Sequence, residues 1–80
     1  MSMENEEKAK DVFAHALGID RALVTDDLKY GSKEWDSIAH MVLISRLEEA
    51  FGVSIDTDEV IDLSGFAKAK EILSKKSITF

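Results

Sequence analysis

The stretch EWDSIAHMVLISRLEEAFG, residues 34–52, contains the most regular helical pattern in the chain. Leu43, Leu47 and Phe51 follow one another at four-residue spacing, which places their side chains on one side of an α-helix. The glycine that follows Phe51 is a common C-terminal stop. The pattern predicts a helix over about residues 37–51 with one face buried in a core.

The predicted helix also has an apolar patch on its opposite side. Ile38, Met41 and Val42 fall there, and Glu48 and Glu49 flank this side one turn further on. An apolar patch rimmed by carboxylates and turned away from the core suggests a docking surface. The alternative is that Ile38 or Val42 packs under a neighbouring loop, because isolated apolar residues are ordinary on protein surfaces.

Ser37 stands at the start of this helix, at the rim of the second apolar side. One interpretation is capping, since Ser and Asp side chains accept hydrogen bonds from the N–H groups of a helix's first turn. The other is that the serine is a covalent attachment point. A phosphate ester there would be favoured by exposed N–H groups and the positive end of the helix dipole. The residues alone leave both interpretations open.

Apolar periodicity, glycine stops and capping residues predict one all-α domain, a small bundle of three main helices plus one short helix. The predicted segments of this domain, residues 1–80, are a first helix over about 4–17, a loop over 18–36, the second helix over about 37–51, a short helix over about 57–61, a last helix over about 65–75 and a tail over 76–80. We expect Ile19, Val24 and Leu28 to anchor the long loop, and Ser64 to cap the last helix. The apolar tail either folds back on the bundle or frays.

Composition narrows the classes of function. The 80 residues include no cysteine, which excludes disulfides, thiolate metal sites and thiol nucleophiles. The charged N-terminal stretch MSMENEEKAK has no signal-peptide pattern, so we expect a cytoplasmic protein without a membrane segment. The net charge of −6 argues against nucleic acid and for partners with basic surfaces.

The quoted stretch resembles the central segment of acyl carrier proteins and of the related peptidyl and aminoacyl carriers. Their signature is Asp-Ser-Leu at the start of the second helix, followed by a helix that ends in Leu-Glu-Glu-x-Phe-Gly. Here these motifs are Asp36-Ser37-Ile38 and Leu47-Glu48-Glu49-Ala50-Phe51-Gly52. The resemblance covers nearly the whole chain and implies the same order of helices.

The resemblance implies a carrier that is not an enzyme. We also expect a monomer, and the residue spacing indicates no metal site. Ser37 would carry 4′-phosphopantetheine, transferred from coenzyme A by a phosphopantetheinyl transferase that Asp36 helps to dock. The thiol of this arm would hold acyl or aminoacyl groups as thioesters, received from a loading enzyme and presented to downstream biosynthetic enzymes. The surface that meets these partners would comprise Ile38, Met41, Val42, Glu48 and Glu49.

Several residues depart from the pattern of fatty-acid carriers. Val42 stands where those carriers often have a glutamate, and Arg46 adds a positive charge further along the helix. Trp35 replaces the small residue usual two positions before the serine, and Ile38 replaces the leucine. These departures favour a specialised carrier that serves a dedicated pathway.

Two other residues near the serine have alternative interpretations. His40 falls on the core side of the helix and is either a buried, hydrogen-bonded histidine or part of the mouth of the bundle beside the arm. Trp35 is either a loop anchor packed on the bundle or a binding platform. A hydrolase would need an orienting third group and an oxyanion site beside Ser37 and His40, and the sequence indicates neither.

The competing hypothesis for the whole chain is a non-catalytic acidic helical adaptor in which Ser37 is only a helix N-cap. Both hypotheses predict a docking face on the second helix. They differ at the serine, which only the carrier hypothesis expects to be modified.

Overall fold

The computed structural model describes residues 3–31 and 33–80; residues 1, 2 and 32 of the predicted domain lie outside the described residues. The helices are α1 (Met3–Leu17), α2 (Ser37–Phe51), α3 (Thr57–Asp62) and α4 (Phe66–Ser74), with a 3-10 helix over Arg21–Leu23. Within these described ranges there is no strand, only an isolated bridge between Lys29 and Gly65. The predicted all-α fold with a long connection between the first two helices is confirmed.

Aromatic contacts around Phe13 of α1 form the centre of the core. Phe13 has no exposed surface, and its ring meets those of Trp35 and Phe66 edge to face at centroid distances of 5.5 and 5.0 Å. Leu43 and Leu47 of α2 are equally buried, as the four-residue spacing predicts. The core therefore joins α1, α2 and α4 to the end of the long connection.

The connection between α1 and α2 is anchored by its own apolar side chains. Val24 and Trp35 are almost completely buried, and Ile19 and Leu28 are half-buried against the core. Long loops without regular structure need such anchors to hold one conformation. Trp35 is thus the loop anchor of the two alternatives, and it fixes the chain two residues before Ser37.

The start of α4 differs from the prediction. Ser64 does not cap this helix, because Gly65 occupies the N-cap position and the helix has no side-chain cap. A Cβ atom at Gly65 would lie 2.9 Å from the backbone oxygen of Leu28, so the close approach of the connection requires glycine. The N–H of Phe66 donates to that same oxygen at 3.0 Å, and the N–H of Tyr30 donates to the oxygen of Ser64 at 2.8 Å.

The C-terminal tail folds back on the bundle. Ile78 and Phe80 are half-buried against the core, and the Phe80 ring lies 6.2 Å from that of Phe51. The N–H of Ile78 donates to the oxygen of Leu73 at 3.2 Å, which turns the tail after α4. No helix in the described residues has both the length and the apolar character needed to cross a membrane.

Candidate functional site

Ser37 is the first residue of α2 and is exposed. The residue before it is the cap: Asp36 has extended backbone angles, and its Oδ1 accepts from the N–H of Ala39 at 2.9 Å. The predicted alternative in which Ser37 is the N-cap is therefore wrong. An N-cap residue lies outside the helical conformation, and Ser37 is already helical. The Ser37 hydroxyl takes no part in capping.

An open cleft of about 310 Å³ lies beside Ser37. Its sides come from the connection, α2, α3 and the segment before α4. The lining residues are Tyr30, Ser37, His40, Met41, Val60, Ile61, Leu63 and Ser64. Most of the cleft surface is apolar, and the serine lies on it rather than beneath it.

The inner side of this cleft is held by two hydrogen bonds, one buried and one partly buried. The Nε1–H of Trp35 donates to Nδ1 of His40 at 2.9 Å, and Nε2 of His40 lies 2.8 Å from the backbone oxygen of Val60. Indole is only a donor, so Nδ1 of His40 must be the acceptor and Nε2 must carry the proton that reaches Val60. His40 is 9% exposed. It is hydrogen-bonded inside the bundle and also lines the cleft, which combines the two alternatives considered for it.

The outer face of α2 exposes the apolar side chains found by the helical pattern. Ile38, Met41 and Val42 are 76%, 60% and 40% exposed. Met41 and Val42 also line a shallow groove of about 490 Å³ together with Ser45, Arg46 and Glu49. None of the three apolar residues is covered by the long connection.

The two glutamates predicted to rim this face have different surroundings. Glu49 is exposed. Glu48 is half-buried, and its Oε2 accepts from the N–H of Ile55 at 2.7 Å. The carboxylate of Glu48 thus ties the end of α2 to the chain that leads into α3, while that of Glu49 faces solvent.

Helix α3 is fixed at its first turn by Glu59. Its Oε1 accepts from Nζ of Lys76 at 2.7 Å and from the N–H of Asp56 at 3.0 Å. The Lys76 contact, followed by the Asp56 hydrogen bond, holds the pKa of Glu59 below its ordinary value. A carboxyl with a depressed pKa stabilises the fold above its unfolded-state pKa, and this contribution is lost as the pH falls through the folded-state pKa.

Sequence reasoning missed much of the cleft. Tyr30, Val60, Ile61, Leu63 and Ser64 come from segments that meet only in the folded chain. One signal was available at Ile61, an apolar residue in a short helix that also contains Asp58, Glu59 and Asp62. It is 77% exposed in the structure.

Comparisons with a family model and with individual proteins indicate the same family. The family described as "Phosphopantetheine attachment site" matches residues 7–69. An acyl carrier protein of Guillardia theta is 30% identical over 71 residues, which cover 88% of each chain. Acyl carrier protein 1, chloroplastic, of Spinacia oleracea is 33% identical over 58 residues, covering 72% of this chain and 41% of the relative.

A much longer relative is also similar. The non-reducing polyketide synthase AC of Didymella fabae is 28% identical over 65 residues, which cover 81% of this chain and 2% of that protein. The chain thus spans most of one relative, less than half of another and a small part of the third. Because the family match and the Guillardia relative each cover most of the sequence, the chain belongs to the acyl carrier protein family, whose members are not enzymes but carry thioesters on covalently attached 4′-phosphopantetheine.

Proposed function

We propose that the chain is a single carrier domain in which Ser37 bears the 4′-phosphopantetheine arm. The arm presents acyl or aminoacyl intermediates to the enzymes of a dedicated pathway. The observation that carries this proposal is that different residues cap α2 and expose a hydroxyl group at its start. Asp36 caps the helix and Ser37 is exposed beside an open cleft. The serine can therefore be esterified without loss of the cap.

The surroundings of Ser37 fit a phosphodiester. The N–H groups of Ser37 and Ile38 lie in the first turn of α2, where no preceding turn supplies an acceptor. The helix dipole also favours negative charge at this end. When attached, the arm supplies a thiol on a flexible tether. The chain's own residues hold the serine at the surface and offer a face to partners.

We propose Asp36 as a recognition residue for the phosphopantetheinyl transferase, in addition to its capping role. Asp36→Ala should lower the free energy of unfolding by about 1 kcal/mol, because a capping side chain is lost. Asp36→Asn should stay close to the original stability, since Asn caps helices as well as Asp does. Both variants should be modified more slowly in a time course of intact mass. An unchanged rate of modification in Asp36→Asn would show that the transferase does not recognise the carboxylate of Asp36.

We propose that Ile38, Met41, Val42 and Glu49 form the centre and rim of the docking surface for partner enzymes with basic patches. Glu48 contributes less to this surface because its carboxylate is held by the N–H of Ile55. An acidic rim around a small apolar centre favours fast and electrostatically steered encounters. Such contacts suit a carrier that visits a loading enzyme and several downstream enzymes in turn.

Met41→Glu should weaken docking with little effect on the fold. The side chain is 60% exposed, so the free energy of unfolding should change by less than about 0.5 kcal/mol. The rate of modification by the transferase should fall, because a carboxylate would have to be desolvated at the centre of the contact. Leu23→Glu is the matched control: Leu23 is also 60% exposed but lies in the 3-10 helix. Equal rates for the two variants would contradict this surface.

The dedicated pathway is supported by the outer face of α2. Val42 lies on this face where fatty-acid carriers often have a glutamate, and Arg46 lines the groove beside it. A partner enzyme that matches this face needs an apolar contact for Val42. It also needs to accommodate the positive charge of Arg46, which lies beside the carboxylate of Glu49. A monomeric state and a cytoplasmic location remain predictions from the sequence.

The direct test of the proposed function is in vitro modification. The purified chain is incubated with coenzyme A, magnesium and a broad-specificity phosphopantetheinyl transferase, and its intact mass is measured. We expect one phosphopantetheine added per chain. No addition with several such transferases would favour an acidic helical adaptor in which Ser37 stays unmodified.

A further inference from the structure

Resting on the proposed attachment at Ser37, we infer that the cargo of this carrier is a short, uncharged acyl group. The group lies in the surface cleft between α2 and α3 and does not enter the bundle. The cleft is continuous with the serine, since Ser37 is one of its lining residues.

The first argument is that hydrogen bonds close the inner side of the cleft. His40 joins Trp35 of the connection to the backbone of Val60 in α3, through contacts of 2.9 and 2.8 Å. An acyl chain passing between α2 and α3 at this point would have to break the contact between His40 and Val60, and His40 is itself held in place by Trp35. Buried donors and acceptors left without partners are costly, so the bonded arrangement opposes entry.

The second argument is the packing behind these bonds. Trp35, Phe13, Leu43 and Leu63 are each no more than 1% exposed. Protein interiors are packed as densely as organic crystals, so a long chain would need to displace these side chains. The open volume of about 310 Å³ is at the lower end of the roughly 300–1,000 Å³ typical of ligand pockets. This small volume, closed off from the core by these side chains, suits a short group.

The third argument is charge. Met41, Val60, Ile61 and Leu63 give the cleft apolar walls, and Tyr30 and Ser64 add hydroxyl-bearing side chains. None of the described residues that line it is an aspartate, glutamate, lysine or arginine. The ammonium group of an aminoacyl cargo would lose hydration there without gaining a carboxylate partner. The cleft therefore favours an uncharged acyl group over an aminoacyl group.

The test uses the isotope-labelled full chain, loaded with arms that carry butyryl, palmitoyl or alanyl groups, and intact mass verifies each loading. Amide and indole N–H spectra are compared with those of the chain that bears the arm alone. Butyryl should move the amide resonances of Val60 and Ile61. Palmitoyl should leave the Trp35 indole and Leu43 amide resonances in place, and alanyl should move neither set.

Three results would overturn the inference: a palmitoyl-dependent movement of the Trp35 indole resonance, equal cleft shifts for alanyl and butyryl, or no cleft shift with butyryl. Each would leave the attachment at Ser37 intact, whereas failure of loading would count against the proposed function itself. His40→Ala should allow palmitoyl to move the Trp35 resonance, and His15→Ala, at an exposed position of α1, should not. The spectra of the three loaded forms of the unsubstituted chain test the inference even if His40→Ala does not fold.

Discussion

Ser37→Ala should abolish the addition of phosphopantetheine completely and leave the fold intact. The methyl group of alanine cannot form the phosphoester, and the structure assigns capping to Asp36 and not to Ser37. Alanine is also the better helix former inside a helix. We therefore expect the free energy of unfolding to change by less than about 0.5 kcal/mol. Intact mass after transferase treatment and urea denaturation measure the two quantities.

Ser45→Ala is the matched control for this experiment. Ser45 is exposed on the same helix and lines the groove of the outer face. Loss of the Ser45 hydroxyl should still allow the addition of one phosphopantetheine per chain. Modification that persists in Ser37→Ala, or that disappears in Ser45→Ala, would contradict the proposed attachment site.

Trp35→Ala should be the most destabilising of the substitutions considered. Its side chain is completely buried, contacts the rings of Phe13 and Tyr30, and donates to His40. Truncation of a buried tryptophan costs about 3–5 kcal/mol, and domains as a class have only about 5–15 kcal/mol of stability. We expect a correspondingly large fall in the urea midpoint, with the slope of the transition unchanged.

Trp35→Phe separates packing from hydrogen bonding at this position. Phenylalanine keeps an aromatic ring in the core but cannot donate to Nδ1 of His40. An unpaired buried acceptor costs about 1–3 kcal/mol, so this variant should lie between Trp35→Ala and the original chain. If Trp35→Ala lowered the free energy of unfolding by less than about 1 kcal/mol, Trp35 would not anchor the connection.

The sequence predicted the helices well where a buried stripe and a stop signal coincide. Leu43, Leu47 and Phe51 repeat every four residues and are followed by Gly52, whose φ of 63° suits the left-handed conformation at a helix end. The exposure of Ile38 and Met41 also followed from the helical geometry. Local periodicity was sufficient in both cases because it fixes which residues share a face.

Other features depend on contacts that the sequence pattern does not encode. Asp36 and Ser37 are both good caps, and only the backbone conformation of Asp36 decides between them. Glu48 is of a residue type that usually lies on the surface, but its carboxylate accepts from the N–H of Ile55, seven residues along the chain. The cleft brings Tyr30 next to Ile61 and Ser64, which no local repeat could indicate.

Localisation of the arm within one peptide tests the central claim most directly. Trypsin cleaves after Lys33 and Arg46 and releases residues 34–46, which contain both Ser37 and Ser45. Electron-transfer fragmentation of this peptide from the modified chain should place the whole added mass on Ser37. Added mass on Ser45, on a different peptide or on none would contradict the account.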